Sequence, residues 1–388
     1  MIDSPAVKRS FDRSWIEIDR EAVARNLETL RSRVVRGTKI AAVVKSNAYG
    51  HGLTTMSSIL DAAGVDWFAV DSLVEGIALR DAGITRPILQ LGYLPRAAIE
   101  ALIDYDLRPT IYDPALIPFL QHAASARGRS IAVHIKVETG TNRQGLRPAD
   151  AVALCQAVQC APNLQLEGIS MHFANIEDTT DHSFAMGQLS RFNDFDRSLA
   201  EAGIKVDLHH TACSAATLLY PTTHFEVVRV GIALYGMWPS RETRVTFQQQ
   251  CGTALTLDPV LTWKTMVVQI KEVEKGDYVG YGCTYRTPHR SRIAILPTGY
   301  YDGYDRRLSN QAYALVHGER APVRGRICMN LCMVDITDIP QVMVEDEVVL
   351  LGRSGNERVT AGELAQWIGT IEYEVTTRIN AALPRIVV

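Results

Sequence analysis

The chain has 388 residues, of which 47% are hydrophobic, and a formal net charge of −3. This length suits two domains of average size, and charges of both signs without a basic stripe exclude a typical nucleic-acid-binding protein. No apolar run approaches the roughly 20 residues of a membrane-spanning helix. The N-terminal "MIDSPAVKRSFDRSW" lacks the apolar core of a secretory signal. Seven cysteines without CxxC spacing predict reduced thiols in a cytoplasmic protein, with no metal site.

Residues 1–243 alternate β-branched runs with amphipathic helical patterns. Eight strands are predicted: "KIAAVVK" from 39, "WFAV" from 67, "PILQL" from 87, "RPTIY" from 108, "SIAVHIKV" from 130, "QLEGISMHF" from 165, "KVDLHH" from 205 and "FEVVRVG" from 225. The helical patterns between them end near a glycine, as in "LTTMSSILDAAG". Eight such repeats predict a closed (β/α)₈ barrel of TIM type. An open doubly wound sheet remains an alternative, although its GxGxxG after the first strand is missing.

The pattern changes in residues 244–388, for which we predict a mostly β C-terminal domain. The strand-like runs are "LTWKTMVVQIKEV", "RIAILPTG", "YALVHG", "APVRGRICM", "MVDIT" and "EVVLLG", separated by Gly, Asp and Pro. Only "TAGELAQWIG" and "YEVTTRINAAL", near the end, return to a helical pattern. The chain is thus predicted to combine an α/β barrel with a β domain.

Polar residues at the carboxyl ends of barrel strands are the candidates for function, because active sites of such barrels lie there. The candidates are Lys45, Lys136, His172 and Arg229 at strand ends, Arg143 in the loop after the fifth strand, Ser214 opening a helix, and Gly231 and Ile232 after the eighth strand. Each has a simpler explanation alone: Ser214 as an N-cap, His172 as a core residue, Arg229 as a structural ion pair. Together they place a strand-end lysine across the barrel from a hydroxyl and backbone N–H groups that suit a phosphate. This combination favours pyridoxal 5′-phosphate chemistry.

The stretch "AAVVKSNAYGHG" at residues 41–52 resembles the cofactor-lysine signature of the alanine racemase family, the fold-type III amino-acid racemases. The resemblance extends from "WIEIDREAVARNL" at residue 15 to "ALPR" at residue 382. It implies that Lys45 binds pyridoxal 5′-phosphate covalently. It assigns the other cofactor contacts to Tyr49, Arg143, His172, Ser214, Arg229, Gly231, Ile232 and Tyr373.

The β domain carries the same resemblance. "YGCTYR" followed by "PTGYYDGYDRR" is similar to a segment in which a catalytic tyrosine precedes a tyrosine of the substrate channel. These residues are Tyr281 and Tyr300 here, and Arg306 is implied to line the same channel. "RICMN" resembles a substrate-pocket segment, which implies that Met329 and Arg143 contact the substrate.

The resemblance implies a two-base racemase in which Lys45 serves one face of the substrate and Tyr281 of the other subunit serves the opposite face. It therefore implies a homodimer with shared sites that interconverts L-alanine and D-alanine for peptidoglycan. The alternatives are a serine or broad-specificity racemase, a decarboxylase and a non-catalytic cofactor-binding barrel. Arg229 argues against the decarboxylase, which would place a carboxylate at the pyridine nitrogen, and the β domain argues against the non-catalytic barrel.

Four positions depart from the family pattern: Glu138, Thr141, Cys213 and Asn330. They leave the proton-transfer residues unchanged but bear on the range of amino acids that the pocket accepts as substrates. Lys136 is implied to stand behind Arg143, where two cations at 4 Å would repel by about 4 kcal/mol at an effective dielectric constant of about 20. We therefore expect a carbamate on Lys136, with Glu138 as an alternative source of negative charge and a solvent-facing Lys136 as another.

Overall fold

The computed structural model describes residues 12–252 and 254–388. Most of the N-terminal segment in which a secretory signal was sought lies outside the described residues. The chain forms two compact units. One comprises the N-terminal segment through Arg20, Tyr49–Thr55 and Pro259–Val388, and the other comprises Glu21–Ala48 and Met56–Asp258.

The strands are, in chain order, β1 (Ser14–Ile18), β2 (Lys39–Val43), β3 (Trp67–Val70), β4 (Ile88–Gln90), β5 (Arg108–Ile111), β6 (Ile131–Lys136), β7 (Leu164–Ser170), β8 (Leu208–His210), β9 (Val227–Val230), β10 (Leu261–Met266), β11 (Gln269–Val273), β12 (Tyr278–Val279), β13 (Tyr285–Arg286), β14 (Ser291–Leu296), β15 (Tyr313–Val316), β16 (Glu319–Pro322), β17 (Cys332–Asp335), β18 (Glu347–Ser354), β19 (Glu357–Val359) and β20 (Arg385–Val387).

The α-helices are Arg20–Arg31, Leu53–Ala62, Leu73–Asp81, Ile99–Asp104, Ile117–Ala126, Pro148–Gln159, Ser183–Glu201, Ser214–Leu219, Arg241–Cys251, Ala361–Ile368 and Glu372–Thr377. Short 3₁₀ turns cover Arg96–Ala98, Pro114–Leu116, Pro221–Thr223, Ile232–Tyr235 and Arg306–Leu308. Among the helices of residues 12–252 and 254–388, none is both long enough and apolar enough to cross a membrane.

The unit of Glu21–Ala48 and Met56–Asp258 is an eight-stranded parallel barrel. Its strand order is β8-β7-β6-β5-β4-β3-β2-β9, and every neighbouring pair is parallel. The two edge strands come together where Arg229 N–H donates to the Ala212 carbonyl at 2.9 Å, so the barrel is nearly closed. Each of the eight predicted runs overlaps one of these strands, with β7 starting one residue before its run, and the predicted fold class is confirmed. Buried Val, Ile, Leu and Ala side chains make up most of these strands, as expected for a sheet covered on both faces.

The other unit is mostly β. Its main sheet has the order β16-β15-β18-β10-β1-β20, with β19 paired to β18, and β11-β14-β17 form a second sheet. The N-terminal strand β1 lies between the distant strands β10, to which it is antiparallel, and β20, to which it is parallel. The predicted domain limits of 1–243 and 244–388 remain a prediction.

Candidate functional site

Lys45 stands just past β2 at the start of a left-handed turn. Ser46, Asn47, Ala48 and Tyr49 all have φ between 51° and 56°. Left-handed backbone costs roughly 1–2 kcal/mol per residue for an L-amino acid, so a run of four non-glycine residues is held by its surroundings. Such strain is typical of functional sites.

Glu75 ties this turn to the next helix. One of its carboxylate oxygens accepts the Ser46 N–H at 2.6 Å, while the other accepts the N–H groups of Asp71 and Ser72 at 2.8 and 3.1 Å. Ser72 completes a capping box at the start of Leu73–Asp81. Asp71 also lies 3.7 Å from the Lys45 amine. The capped helix therefore fixes both the lysine turn and an acidic neighbour for the lysine.

Arg229 lies in β9, and its guanidinium is buried among neutral acceptors. One terminal nitrogen donates to the carbonyl of His210 at 2.5 Å and to its Nδ1 at 2.8 Å. The other donates to the Met171 carbonyl at 2.9 Å and lies 3.3 Å from Nδ1 of His172. Burial lowers the pKa of Arg229 to about 10, which still leaves it protonated near neutral pH.

The two histidines that contact Arg229 are neutral. Burial, followed by the positive charge of Arg229, lowers the pKa of His172 and of His210 well below the usual value for an imidazole. Since a guanidinium only donates hydrogen bonds, the Nδ1 atoms facing it are acceptors. The structure thus places His172, one of the cofactor contacts assigned by resemblance, beside Arg229 and adds His210, which the sequence analysis did not identify.

Lys136 ends β6 in a region of excess positive charge. Its amine donates to the Gln144 side chain at 3.4 Å. Burial, then Arg229 and Arg143, lower its pKa to about 8, with Glu138 partly offsetting the effect. These four cationic and anionic side chains, together with Lys45, lie close enough at the barrel mouth to change one another's charge state.

Glu138 does not act as a simple partner for Lys136. Its carboxylate accepts the N–H groups of Gly140 and Thr141 at 2.5 and 2.6 Å. Burial alone would raise the pKa of Glu138, but backbone N–H donors of this loop hold it below the usual value. Glu138 therefore shapes the loop that carries Arg143.

Ser214 and Gly231 meet after β8 and β9. The Ser214 hydroxyl accepts the Gly231 N–H at 3.0 Å and the Ala233 N–H at 3.5 Å, across the start of the 3₁₀ turn Ile232–Tyr235. Ser214 is thus the first residue of its helix and not its N-cap, which is Cys213. The predicted phosphate residues Ser214, Gly231 and Ile232 are brought together.

A cavity of about 390 Å³ opens beside these groups. It is lined by Thr141, Arg143, His172, Phe173, Ala174, Ile176, Glu177, Asp178 and Cys213. Two of the four departures from the family pattern, Thr141 and Cys213, line it.

The remaining predicted site residues belong to the β unit. Tyr49 opens the segment Tyr49–Thr55, and its ring centroid lies 5.9 Å from that of Tyr373. Gly50 fits tightly here, because an added Cβ would lie 1.9 Å from the Thr376 carbonyl oxygen. The Arg385 guanidinium donates to the Gly50 carbonyl at 2.8 Å. Tyr49 and Tyr373 are therefore neighbours.

Tyr281, Tyr300 and Met329 lie on loops of the β unit and are exposed, Tyr281 to 71%. The Tyr300 N–H donates to the Cys328 carbonyl at 3.0 Å, which joins the last two loops. Burial raises the pKa of the Cys328 thiol, and the nearby Arg306 partly offsets this. Tyr300, Met329 and Arg306 thus lie in one region, as expected for a shared channel.

Sequence reasoning missed His134, Glu167 and Asp71. His134 precedes Lys136 by two positions in "IAVHIK", and residues two apart on a strand point to the same side. This spacing was the available signal for His134. The sequence contains no comparable signal for Glu167 or Asp71, because their partners come from other parts of the barrel.

Comparison with known proteins gives matches over nearly the whole chain. The family model for the alanine racemase N-terminal domain matches residues 18–239, and that for the C-terminal domain matches residues 260–387. An alanine racemase from Desulfovibrio desulfuricans is 40% identical over 380 residues, covering 98% of this chain and 99% of the relative. The solved alanine racemase of Bacillus anthracis with bound L-Ala-P is 35% identical, with a TM-score of 0.90, covering 97% of this chain and 95% of that one.

A solved histidine racemase from Leuconostoc mesenteroides subsp. sake is also similar. It is 28% identical, with a TM-score of 0.89 and full coverage of both chains. The same fold therefore occurs in racemases named for substrates of different size.

Proposed function

This chain belongs to the alanine racemase family, and from that premise we propose that it interconverts L-alanine and D-alanine with pyridoxal 5′-phosphate as cofactor. The observation that carries the proposal is the convergence of Lys45, Arg229 and the Ser214–Gly231 pair at the carboxyl ends of the barrel strands. One barrel mouth then carries a reactive amine, a buried cation, and a hydroxyl and a backbone N–H that can donate to a phosphate.

The residues present fit an anionic cofactor. Lys45, Lys136, Arg143 and Arg229 lie at this barrel mouth, and burial, followed by the charges of Arg229 and Arg143, lowers the pKa of Lys136 to about 8. A phosphate and a phenolic oxygen would supply the compensating negative charge. Ser214, Gly231 and Ile232 would hold the phosphate, Lys45 would bind the cofactor covalently, and Arg143 and His172 would surround it.

When bound, the cofactor supplies an electron sink for the substrate Cα. Arg229 would donate a hydrogen bond to the pyridine nitrogen. With a pKa of about 10 it keeps its own proton near neutral pH and, unlike a carboxylate, does not hold a proton on that nitrogen. Arg229 therefore favours return of the Cα proton over transamination.

Racemisation requires proton removal on one face of Cα and return on the other. Lys45, released when the substrate takes its place, would handle the proton of the D-enantiomer. Tyr281 of the partner subunit would handle that of the L-enantiomer. The support for a partner is the exposure of apolar side chains on neighbouring loops of the β unit, namely Tyr281, Tyr300, Tyr301, Met329 and Leu331. Such patches mark interaction surfaces.

A broad-specificity racemase is the second candidate. The cavity of about 390 Å³ beside Arg143 has two departures from the family pattern, Thr141 and Cys213, in its wall. The similarity to a histidine racemase points in the same direction. We keep alanine as the main proposal because both domains match alanine racemase models.

The test is incubation with each L-amino acid in deuterium oxide, following loss of the Cα proton and of optical rotation. We expect L-alanine to exchange and racemise fastest. A faster reaction with L-serine or L-histidine would replace the main proposal by the second, and no exchange with any amino acid would contradict both. Lys45→Ala should abolish the visible absorption of the covalently bound cofactor. Retention of that absorption would overturn the role of Lys45.

We further propose a cytoplasmic location and a role in supplying D-alanine for peptidoglycan. All seven cysteines lie in the described residues and are free thiols, which suits a reducing compartment. Family membership supports the proposed peptidoglycan role, which is tested by D-alanine dependence of a strain lacking the gene.

A further inference from the structure

A relay of hydrogen-bonded side chains, buried from Arg229 to His134 and half-buried at Glu167 and Arg108, leads from Arg229 through the inside of the barrel. His210 Nε2 lies 2.8 Å from His134 Nδ1, and His134 Nε2 lies 2.9 Å from a Glu167 oxygen. The same oxygen accepts from Arg108 Nε at 2.8 Å. These residues come from β9, β8, β6, β7 and β5, and partners such as His134 and His210 lie on strands that are not neighbours, so their side chains meet in the interior.

The direction of every hydrogen bond in this relay follows from its two ends, the Arg229 guanidinium, which only donates, and the Glu167 carboxylate, which only accepts. Arg229 can only donate, so Nδ1 of His210 accepts and its proton is on Nε2. His210 Nε2–H then donates to His134 Nδ1, which leaves the His134 proton on Nε2, facing a carboxylate that can only accept. One tautomer of each imidazole satisfies the whole relay.

Two features of the backbone make room for the side chains of this relay and orient them. The register of β6 and β7 shifts between Val133 and His134, so that Glu167 is an extra residue on β7. Bulges of this kind redirect a side chain. Next to it, Gly168 leaves room for the imidazole, because an added Cβ would lie 2.4 Å from His134 Nδ1.

We propose that Glu167, acting through His134 and His210, is a positioning residue that orients Arg229 and balances its buried charge. A guanidinium surrounded by neutral carbonyls and imidazoles is poorly compensated. A carboxylate polarises the imidazole that it accepts from, which in turn strengthens the acceptor at the far end. The catalytic consequence rests on the proposed function, whereas the tautomers and the link to Arg229 do not.

The first test is ¹⁵N-histidine solid-state NMR of the full chain, with and without pyridoxal 5′-phosphate. We expect His134 and His210 to be neutral and protonated at Nε2. Signals are assigned by sequential ¹³C–¹⁵N correlations in the uniformly labelled, unsubstituted chain. A proton on Nδ1 of either residue, or a doubly protonated ring, would overturn the proposal even if no substituted chain folds.

The second test compares Glu167→Gln with Glu226→Gln. Glu226 also accepts from a histidine, with its carboxylate 2.9 Å from His209 Nδ1. His209 precedes His210 on β8, so its side chain lies on the opposite face of the sheet. In the Glu167 variant we expect a changed ¹⁵N chemical shift at His210, which Glu167 reaches only through His134. We also expect a shifted absorption band of the bound cofactor. The Glu226 variant should change neither.

For the reaction itself, Glu167→Gln should lower kcat roughly tenfold with KM within about twofold, and Glu167→Asp should recover part of the loss. Equal effects of the Glu167 and Glu226 substitutions would overturn the proposal. If the chain racemises no amino acid, the proposed function fails, while the NMR comparison still decides whether Glu167 acts on Arg229.

Discussion

The amine of Lys136 is chemically distinct from an ordinary surface lysine, because burial and two neighbouring arginines lower its pKa to about 8. Carbon dioxide adds only to the neutral amine, and the neutral fraction rises as the pH rises through the pKa. We predict that carbamate occupancy on Lys136 increases between pH 7 and pH 9 in ¹³C-bicarbonate, measured as a ¹³C carbamate signal. The negative carbamate would then pair with Arg143.

Lys264 is the internal control for this prediction. Although burial opposes it, Glu17 and Glu347 hold the pKa of Lys264 above its usual value, so its amine stays charged and should not react. A ¹³C signal that survives in Lys136→Ala would assign the carbamate elsewhere. An unmodified Lys136 at pH 9, with activity unaffected by Lys136→Ala, would contradict the idea.

At this scale the sequence predicts the site unevenly. Lys45, Lys136 and Arg229 could be found because each interrupts or ends an apolar run, where a charge is unexpected. Glu167 could not, since its role depends on a bulge that the strand pattern "QLEGISMHF" does not reveal. His210 was visible in the sequence but had no identifiable partner, because His134 lies on β6 and the two side chains meet only when the barrel closes around them.

Among the structural elements, the left-handed turn after β2 gives a direct test. Ser46 is exposed and has φ of 56°, so its side chain matters mainly through backbone preference. Ser46→Val should destabilise the fold by about 1–2 kcal/mol relative to Ser46→Gly, because a β-branched residue is poorly tolerated in this conformation. Urea unfolding of the two variants measures the difference. Equal midpoints would mean that the turn is not strained.

The segment Tyr49–Thr55 offers a second test through Gly50. Gly50 and Gly64 have similar φ values of 86° and 83°, but an added Cβ at Gly50 meets the Thr376 carbonyl while one at Gly64 meets nothing within 4 Å. Gly50→Ala should therefore lower the free energy of unfolding by about 1–3 kcal/mol more than Gly64→Ala. A matching loss in the two variants would attribute the whole cost to φ.

The strands themselves were largely predictable. Each barrel strand is a short apolar run between helical patterns, and a parallel sheet covered on both faces requires such runs. The strand β1 was not identified, because its five residues pair with β10 and β20, more than two hundred residues away. Local periodicity contains no information on a partner at that distance.

For the whole molecule, we predict that two inactive chains complement each other. Lys45→Ala and Tyr281→Ala each remove one proposed base. If the two bases of a site come from different subunits, a mixed dimer has one site with both bases and one site with neither. Equal mixing with free exchange should restore about a quarter of the parent activity, measured as racemisation of L-alanine.

The control is each variant mixed with itself under the same conditions, which should stay inactive. Subunit exchange is verified with differently tagged chains. Complete exchange without recovered activity would show that Lys45 and Tyr281 do not act across subunits, and recovery in a monomeric preparation would exclude the dimer.

The pairing of β1 with β10 and β20 also imposes an order on biosynthesis. The strand β1 is translated before every strand of the barrel, yet the strands that flank it, β10 and β20, are translated only after the barrel. The barrel strands β2 to β9 can therefore assemble while both edges of β1 are still unpaired. A chain released early, before Arg385–Val387, would keep that edge open and become a substrate for chaperones and proteases.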